Sequence, residues 1–201
     1  MIIIDIETAP LSAELQAPLA PTFEARGNLR DPEKIAADIA EKQAAWADTA
    51  QLDPTRSKVC AYGYAVEVMG VPQVRISDNE TSMLMEIAEL IKGADLVCAH
   101  NIGYDLGFLA VRWALNDIQP PKLHDHNPEY WGQKFKCTKA MWKPRASSTM
   151  QPASLDYVGR AFGMGSKPGN GKDFYKWDED KQREYLTHDV RVCQEIVRRM
   201  F

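Results

Sequence analysis

Two carboxylates lie two residues apart near the first residue of the sequence, in the segment Ile4-Asp5-Ile6-Glu7-Thr8. The residues around them are mostly β-branched and apolar, a composition that favours a buried strand. Because successive side chains of a strand point to opposite faces, Asp5 and Glu7 are predicted to share one face. Two adjacent carboxylates on a buried strand repel each other and lose hydration. A divalent cation such as Mg²⁺, which prefers oxygen ligands, is the usual compensation.

Two later segments carry further carboxylates. Asp105 is predicted in the first turn of a helix that follows the segment Ala99-His100-Asn101 at the end of a strand. Ligands of α/β proteins bind at such strand ends, although Asp105 could instead only complement the helix dipole. Tyr185 and Asp189 are four residues apart on the predicted last helix and therefore lie on one face. Asp189 is at the edge of the apolar face, where a carboxylate needs a partner such as a metal ion.

The hydrophobic pattern predicts the elements that position these side chains. Apolar and β-branched runs predict five strands, at about residues 1–7, 58–66, 73–77, 96–99 and 134–138. Amphipathic spacing predicts helices at about residues 80–92, 104–115, 154–162 and 178–200. Residues 9–55 form a long excursion after the first strand, and a helix is expected to begin within it at Pro32. This order predicts an α/β fold with a mixed sheet in which the first strand is central.

The composition limits the class of protein. The chain has 201 residues, 45% of them hydrophobic and 26% charged, with a formal net charge of −4. These values are typical of one globular domain of residues 1–201, and they are less basic than a protein that grips duplex DNA through its phosphates. No apolar run reaches the roughly 20 residues of a membrane span and no signal peptide is visible, so a cytoplasmic protein without membrane contact is expected. The four cysteines are far apart, which favours free thiols.

The three segments together resemble the DEDD superfamily of 3′–5′ exonucleases, the DnaQ-like enzymes with the ribonuclease-H-like fold. The resemblance spans nearly the whole chain and rests on three motifs, Asp5-x-Glu7, Asn101-x-x-x-Asp105 and Tyr185-x-x-x-Asp189. One subfamily has a histidine five residues before the last aspartate, where this chain has Glu184. The other subfamily has a tyrosine four residues before it, which is Tyr185 here. The resemblance is therefore to the tyrosine subfamily, which includes proofreading exonuclease domains of DNA polymerases.

The resemblance implies a fold, a metal site and substrate contacts. The fold would be a ribonuclease-H-like mixed five-stranded sheet flanked by helices, with residues 9–55 as an insertion. Two Mg²⁺ or Mn²⁺ ions would be held by four carboxylates, with Tyr185 orienting the attacking water: Asp5, Glu7, Asp105 and Asp189. The expected contacts with the terminal nucleotide are Thr8, Asn101, Phe108 and Lys172, with Leu11 as a further candidate. Phe108 could instead be helix core. A basic and aromatic patch is expected, with a solvated loop as its alternative, at Lys167, Lys172, Tyr175, Lys176 and Trp177.

The predicted function is a stand-alone, two-metal-ion 3′–5′ exonuclease that hydrolyses single-stranded DNA ends to nucleoside monophosphates. The expectation that it stands alone rests on motifs that extend from residue 5 to residue 189 and leave no room for a polymerase domain. A polymerase or other protein partner is left unassigned. Two alternatives stay open, an exoribonuclease with the same residues and a nucleic-acid-binding module that lost catalysis. His124 and His126 could suggest a second metal site, but such a pair in a proline-bounded loop is more often exposed.

Overall fold

A five-stranded mixed sheet forms the centre of the protein. The structure is a computed structural model, and it describes residues 1–121, 134–143 and 153–200. The strands are β1 (Ile2–Pro10), β2 (Ser57–Val66), β3 (Gln73–Ile76), β4 (Val97–Ala99) and β5 (Phe135–Cys137). Their order is β3-β2-β1-β4-β5, with antiparallel pairing of β1 to β2 and β2 to β3, and parallel pairing of β1 to β4 and β4 to β5. The prediction of a mixed sheet with a central first strand is confirmed.

Helices cover both faces of the sheet. They are α1 (Ala13–Gln16), α2 (Pro32–Asp48), α3 (Glu80–Gly93), α4 (Ile102–Leu115), α5 (Thr138–Trp142), α6 (Leu155–Ala161) and α7 (Glu179–Met200). Short 3₁₀ turns within the described residues span Ala17–Leu19, Ala50–Leu52 and Gly171–Lys176. Apolar residues of α3 and α4 form one core with one face of the sheet, and those of α6 and α7 form a second core with the other face. This layered arrangement is consistent with the predicted ribonuclease-H-like fold.

The alternation of β1 assigns its side chains to these two cores. Ile2, Ile4 and Ile6 pack in the core of α3 and α4, whereas Ile3 packs in the core of α6 and α7. Because side chains of a strand alternate, Asp5 and Glu7 continue the Ile3 face. The two carboxylates therefore face the layer that contains α7.

The first strand is longer than the predicted span of residues 1–7, because β2 continues to pair with it as far as Pro10 and Ser57. The ladder is interrupted once, since Glu7 pairs with Ala61 and Thr8 pairs with Val59, which leaves Cys60 of β2 as an extra residue. Such a bulge shifts the pairing register without ending the strand. The excursion therefore begins after Pro10.

The excursion is an ordered insertion with its own hydrogen bonds. The side chain of Asp31 accepts a hydrogen bond from the backbone of Glu33 at 3.0 Å, which caps α2 at the predicted helix start. Asp38, which is buried, accepts from the backbone N–H of Arg26 at 3.0 Å and forms an ion pair with Lys42 at 3.0 Å. These contacts fix the segment before α2 against the helix itself.

A buried ion pair ties α3 and α4 together beside the insertion. Glu80 accepts from Arg112 at 2.9 and 2.5 Å, and it also accepts from the backbone N–H of Val59 at 2.8 Å. Arg112 in turn donates to the carbonyl of Pro54 at 2.9 Å. Removing one member of such a pair leaves the other charge buried, at a typical cost of about 3–5 kcal/mol. This pair therefore fixes how α4 approaches the sheet.

None of the helices in the described parts of the chain is long and apolar enough to cross a membrane. The predicted cytoplasmic location stays a prediction, as does the organisation of residues 1–201 as one domain that acts alone.

Candidate active site

Three of the four predicted carboxylates converge on one point. Ligand oxygens of Asp5, Glu7 and Asp189 all lie within 4.8 Å of one another. Asp5 and Glu7 extend from β1, and Asp189 is buried on the face of α7 that meets the sheet. Segments more than 180 residues apart in the sequence thus supply one cluster of oxygen atoms, as the spacing of the motifs predicted.

The cluster suits a divalent cation on chemical grounds. The Oδ2 atom of Asp5 is buried and has no hydrogen-bond partner in the described part of the chain. Leaving a buried acceptor without a donor is costly, by roughly 1–3 kcal/mol and more for a charged group. A hard cation would satisfy that oxygen, and an all-carboxylate ligand set fits Mg²⁺ or Mn²⁺ better than zinc.

The fourth carboxylate, Asp105, flanks the cluster. It is buried in the first turn of α4 and lines the same cleft, but it is outside the group of three mutually close carboxylates. Burial raises the pKa of Asp105 to about 7, although backbone hydrogen bonds, one of them from Ile6, act in the opposite direction. Its charge also raises the pKa of Asp5, which shows that the two groups are close enough to repel each other.

A lysine of the glycine-rich loop lies inside the site. The ammonium of Lys167 donates to Oδ2 of Asp189 and to the hydroxyl of Tyr185, the latter at 2.9 Å. Burial acts to lower the pKa of Lys167, but attraction by Asp189, Tyr185 and Asp5 outweighs it, so the pKa is raised above its ordinary value. Lys167 is therefore a cation placed among carboxylates, and it lines the cleft together with Lys172. Its expected part in a basic and aromatic patch stays a prediction.

The hydroxyl of Tyr185 is held between the lysine and the 3₁₀ turn at Gly171–Lys176. The ring packs against Phe174 and Trp177, with centroids 5.8 and 5.4 Å away. A Cβ atom at Gly171 would lie 2.7 Å from the Tyr185 hydroxyl, so the close approach requires glycine. Burial, followed by repulsion from Asp189, raises the pKa of Tyr185, so the hydroxyl keeps its proton at neutral pH.

Two of the predicted substrate contacts line the cleft. Thr8 is buried, and its hydroxyl donates to the carbonyl of Gln51 at 2.7 Å. Lys172 is exposed at the rim and forms an ion pair with Asp48 of the insertion at 3.5 Å. Thr8 thus serves first to anchor the insertion, whereas the ammonium of Lys172 remains accessible to a phosphate.

Two other predicted contacts have different surroundings. Phe108 is only 2% exposed and packs in the core of α3 and α4, with its ring centroid 5.9 Å from that of Tyr104. Its prediction as a substrate contact is therefore corrected to helix core, because its helical position places it against the sheet. Asn101 is exposed in the left-handed conformation at φ 67° and, like Leu11, is not among the residues that line the cleft. The segment His124-Asp125-His126 lies outside the described residues.

The cleft has a volume of about 300 Å³ and includes residues that sequence reasoning missed. His100, at the end of β4, lines it and bonds through its two ring nitrogens to Thr138 at 3.1 Å and to the carbonyl of Ala153 at 2.7 Å. Gln51 and Leu52 of the insertion also line it. No motif marks these residues. For Lys167, the one available signal was a basic residue in a glycine-rich loop before the last motif.

The fold has a solved counterpart. No protein-family model and no curated protein sequence matches this chain. The structure is similar to that of the family B DNA polymerase from the hyperthermophilic archaeon Pyrobaculum calidifontis, with a TM-score of 0.62 and 15% sequence identity. The match covers 98% of this chain and 24% of the polymerase chain, so this chain spans about a quarter of the length of that protein. At this identity the similarity shows the shared fold.

The pKa shifts predict how the stability of the metal-free protein depends on pH. Burial raises the pKa of Asp5, Glu7 and Asp105 above the values near 4 that carboxyl groups have in an unfolded chain. Between about pH 4 and pH 7 the folded protein therefore binds more protons than the unfolded chain, and its free energy of unfolding falls as the pH rises. Burial lowers the pKa of His100, and a hydrogen bond from Arg198 lowers the pKa of Glu195 to about 2, so both groups oppose this trend. Carboxyl groups with a lowered pKa act mainly below about pH 5, where the unfolded chain takes up their protons.

We expect the metal-free protein to be more stable at about pH 5 than at about pH 7.5, by roughly 2–4 kcal/mol. Urea denaturation in EDTA at the two pH values measures the difference. Saturating Mg²⁺ should raise the stability at the higher pH more than at the lower pH, because the ion binds the deprotonated carboxylates. Equal stability at both pH values would show that the carboxylates are not desolvated in solution.

Proposed function

We propose that this chain is a metal-dependent 3′–5′ exonuclease that hydrolyses single-stranded nucleic acid ends, DNA by preference, to nucleoside monophosphates. The observation that carries the proposal is the convergence of Asp5, Glu7 and Asp189, with Asp105 beside them, in one cleft. Tyr185 adjoins this cleft, since Lys167 donates to both the Tyr185 hydroxyl and Asp189. The four carboxylates and Tyr185 are the residues that the resemblance to the tyrosine subfamily singled out. The shared fold with part of a DNA polymerase agrees with a nucleic acid substrate.

Each carboxylate has a separate role in the proposed site. Asp5, Glu7 and Asp189 would hold one divalent cation, and Asp105 together with Asp5 would support a second one. Two such cations supply an activated water and stabilise the charge on the phosphate and the leaving oxygen. The carboxylates themselves stay deprotonated and serve to position these charges.

Two further side chains act directly on the reacting groups. The Tyr185 hydroxyl is protonated at neutral pH, so it orients the attacking water by a hydrogen bond and does not accept its proton. In the metal-free protein the Lys167 ammonium forms an ion pair with the carboxylate of Asp189. If Asp189 held a metal ion instead, the Lys167 ammonium would lose this partner. That ammonium is then available to donate to a phosphate oxygen within the cleft.

A cleavage assay tests the proposal. Single-stranded DNA and RNA oligonucleotides labelled at the 5′ end are incubated with the protein in Mg²⁺, Mn²⁺ or EDTA. We expect a ladder that shortens from the 3′ end, with monophosphate products and no reaction in EDTA. A faster reaction on RNA would favour the exoribonuclease, and binding without cleavage of either polymer would favour the non-catalytic module.

Replacing Tyr185 with phenylalanine is expected to lower kcat by about tenfold to a hundredfold, because the water loses an orienting hydrogen bond. The substitution removes only the hydroxyl, so packing against Phe174 and Trp177 and stabilisation by Mg²⁺ should persist. Steady-state kinetics and thermal unfolding with and without Mg²⁺ measure both effects. An unchanged kcat would remove the tyrosine from the mechanism.

A further inference from the structure

The insertion supplies one wall of the cleft. The 3₁₀ turn Ala50–Leu52 ends the insertion, and its residues Gln51 and Leu52 line the same cavity as Asp5, Glu7 and Asp189. Neither Gln51 nor Leu52 belongs to one of the three motifs, and neither offers a carboxylate to a metal ion. Their side chains therefore bear on what the cleft accepts.

The turn is fixed to the strand that carries the carboxylates. The carbonyl of Gln51 accepts hydrogen bonds from the hydroxyls of Thr8 at 2.7 Å and Ser57 at 3.3 Å. Thr8 directly follows Glu7, and Ala50, the first residue of the turn, is itself buried. The position of the wall relative to Glu7 is thus set by buried contacts with β1 and β2.

The ion pair across the cleft rim contributes little to this position. Lys172 and Asp48 are 3.5 Å apart, and their side chains are 57% and 72% exposed. Exposed pairs of this kind stabilise by about 0–1 kcal/mol. The turn is therefore held by its hydrogen bonds to β1 and β2, and it does not depend on the ion pair between Lys172 and Asp48.

The two wall side chains combine an apolar surface with an amide. Leu52 is 53% exposed although it is apolar, and that surface belongs to the cleft. Gln51 is only 7% exposed and lines the cleft beside Leu52, so it adds an amide group to this apolar wall. A ligand with a flat apolar face and a polar edge, such as a nucleobase, complements both side chains.

The size of the cleft suits one nucleotide unit. Its volume of about 300 Å³ is at the lower end of the roughly 300–1,000 Å³ of ligand pockets. One terminal nucleotide fits such a space when its phosphate lies at the carboxylates and its base lies at the wall.

We propose that the turn Ala50–Leu52 is the base-side wall of the site, where Leu52 packs on the face of the terminal nucleobase and the Gln51 amide bonds its polar edge. The inference rests on the proposed function, since it assigns the substrate contacts of that same cleft. It gives the insertion the task of holding the 3′-terminal base.

Amino-acid substitutions in the turn, combined with removal of the 3′-terminal base from the substrate, test this assignment. Leu52→Ala is compared with Leu19→Ala, because Leu19 also ends a 3₁₀ turn of the insertion and is 49% exposed, but does not line the cleft. Each variant is assayed on two 5′-labelled oligonucleotides that differ only in whether the 3′-terminal residue carries a base. Binding of the same oligonucleotides is followed by fluorescence anisotropy in EDTA and in Ca²⁺.

Leu52→Ala should raise KM for the normal end about fivefold to tenfold with kcat nearly unchanged, and should leave KM for the abasic end unchanged. Leu19→Ala should match the wild type on both ends. Gln51→Ala should raise KM for a terminal thymine and have no effect on an apolar thymine isostere that cannot form hydrogen bonds. Equal losses on both members of either substrate pair, or no loss on either, would overturn the assignment.

The outcomes separate the two proposals. If the wild type cleaves but Leu52→Ala changes KM equally for the normal and the abasic end, the base-side wall is rejected and the proposed exonuclease activity stands. Absence of cleavage would reject the exonuclease activity. The base-side wall would then be tested by anisotropy, which compares how Leu52→Ala changes the affinity for the normal and for the abasic end. Failure to bind any of these oligonucleotides would reject both.

Discussion

Asp5→Asn is expected to abolish hydrolysis while making the metal-free protein more stable. The variant keeps the shape of the side chain but removes the charge that the proposed cations require, which should lower kcat by about a thousandfold or more. In the metal-free protein, burial and the charges of Asp189 and Asp105 disfavour the Asp5 carboxylate. Removing that charge should raise the free energy of unfolding at neutral pH by about 1–2 kcal/mol.

Urea denaturation in EDTA and in Mg²⁺, together with the cleavage assay, measures both parts of this result. Asp180→Asn is the matched control, since Asp180 is exposed on the same helix as Asp189 and makes the same change of charge outside the cleft. The control should retain activity and its stabilisation by Mg²⁺, whereas Asp5→Asn should lose both. A destabilised Asp5→Asn protein that still cleaves would mean that Asp5 has a structural role only.

Lys167→Met should destabilise the metal-free protein and increase its affinity for Mg²⁺. Without its ammonium, the buried carboxylate of Asp189 loses its cationic partner, and the free energy of unfolding in EDTA should fall by about 3 kcal/mol. Mg²⁺ no longer has to displace the ammonium, so its dissociation constant should decrease severalfold. Saturating Mg²⁺ should therefore recover about 1 kcal/mol of this loss relative to the wild type.

Lys172→Met provides the comparison for this prediction, because Lys172 is in the same loop region and its ion pair among the described residues is with the exposed Asp48. It should change the stability by less than about 1 kcal/mol and leave the affinity for Mg²⁺ unchanged. Unfolding curves in EDTA and a titration with Mg²⁺ followed by melting temperature give both quantities. If the two variants behave alike, the contact between Lys167 and Asp189 does not persist in solution.

The sequence was informative where a local rule applied. The alternation of β1 predicted that Asp5 and Glu7 share a face, and the structure places both beside Asp189. Apolar periodicity also predicted the helices that face the sheet. Phe108 was expected as a substrate contact, with helix core as its alternative, and the structure buries it in the core. Helical periodicity alone does not distinguish a residue that faces a cleft from one that faces a core.

Contacts between distant segments could not be predicted in this way. Nothing local to Gln51 or Leu52 indicates a cleft residue, since their position depends on a hydrogen bond to Thr8 across 43 residues. Lys167 is held in the site by the carboxylates of Asp189 and Asp5 and by its hydrogen bond to the Tyr185 hydroxyl, which no motif encodes. Both positions follow from packing and electrostatics that exist only after the chain has folded.

The bulge at Cys60 divides β1 into two parts with separate pairing registers, and only the first part carries Asp5 and Glu7. Residues 2–7 pair with 61–66, and residues 8–10 pair with 57–59 in a register of their own. Length changes between Pro10 and Ser57 therefore do not alter the spacing of Asp5 and Glu7, whereas loss of Ile6 would send one carboxylate into the apolar core of α3 and α4. The turn Ala50–Leu52 could thus be exchanged for another by grafting, as a replaceable module on a strand whose carboxylates keep their positions.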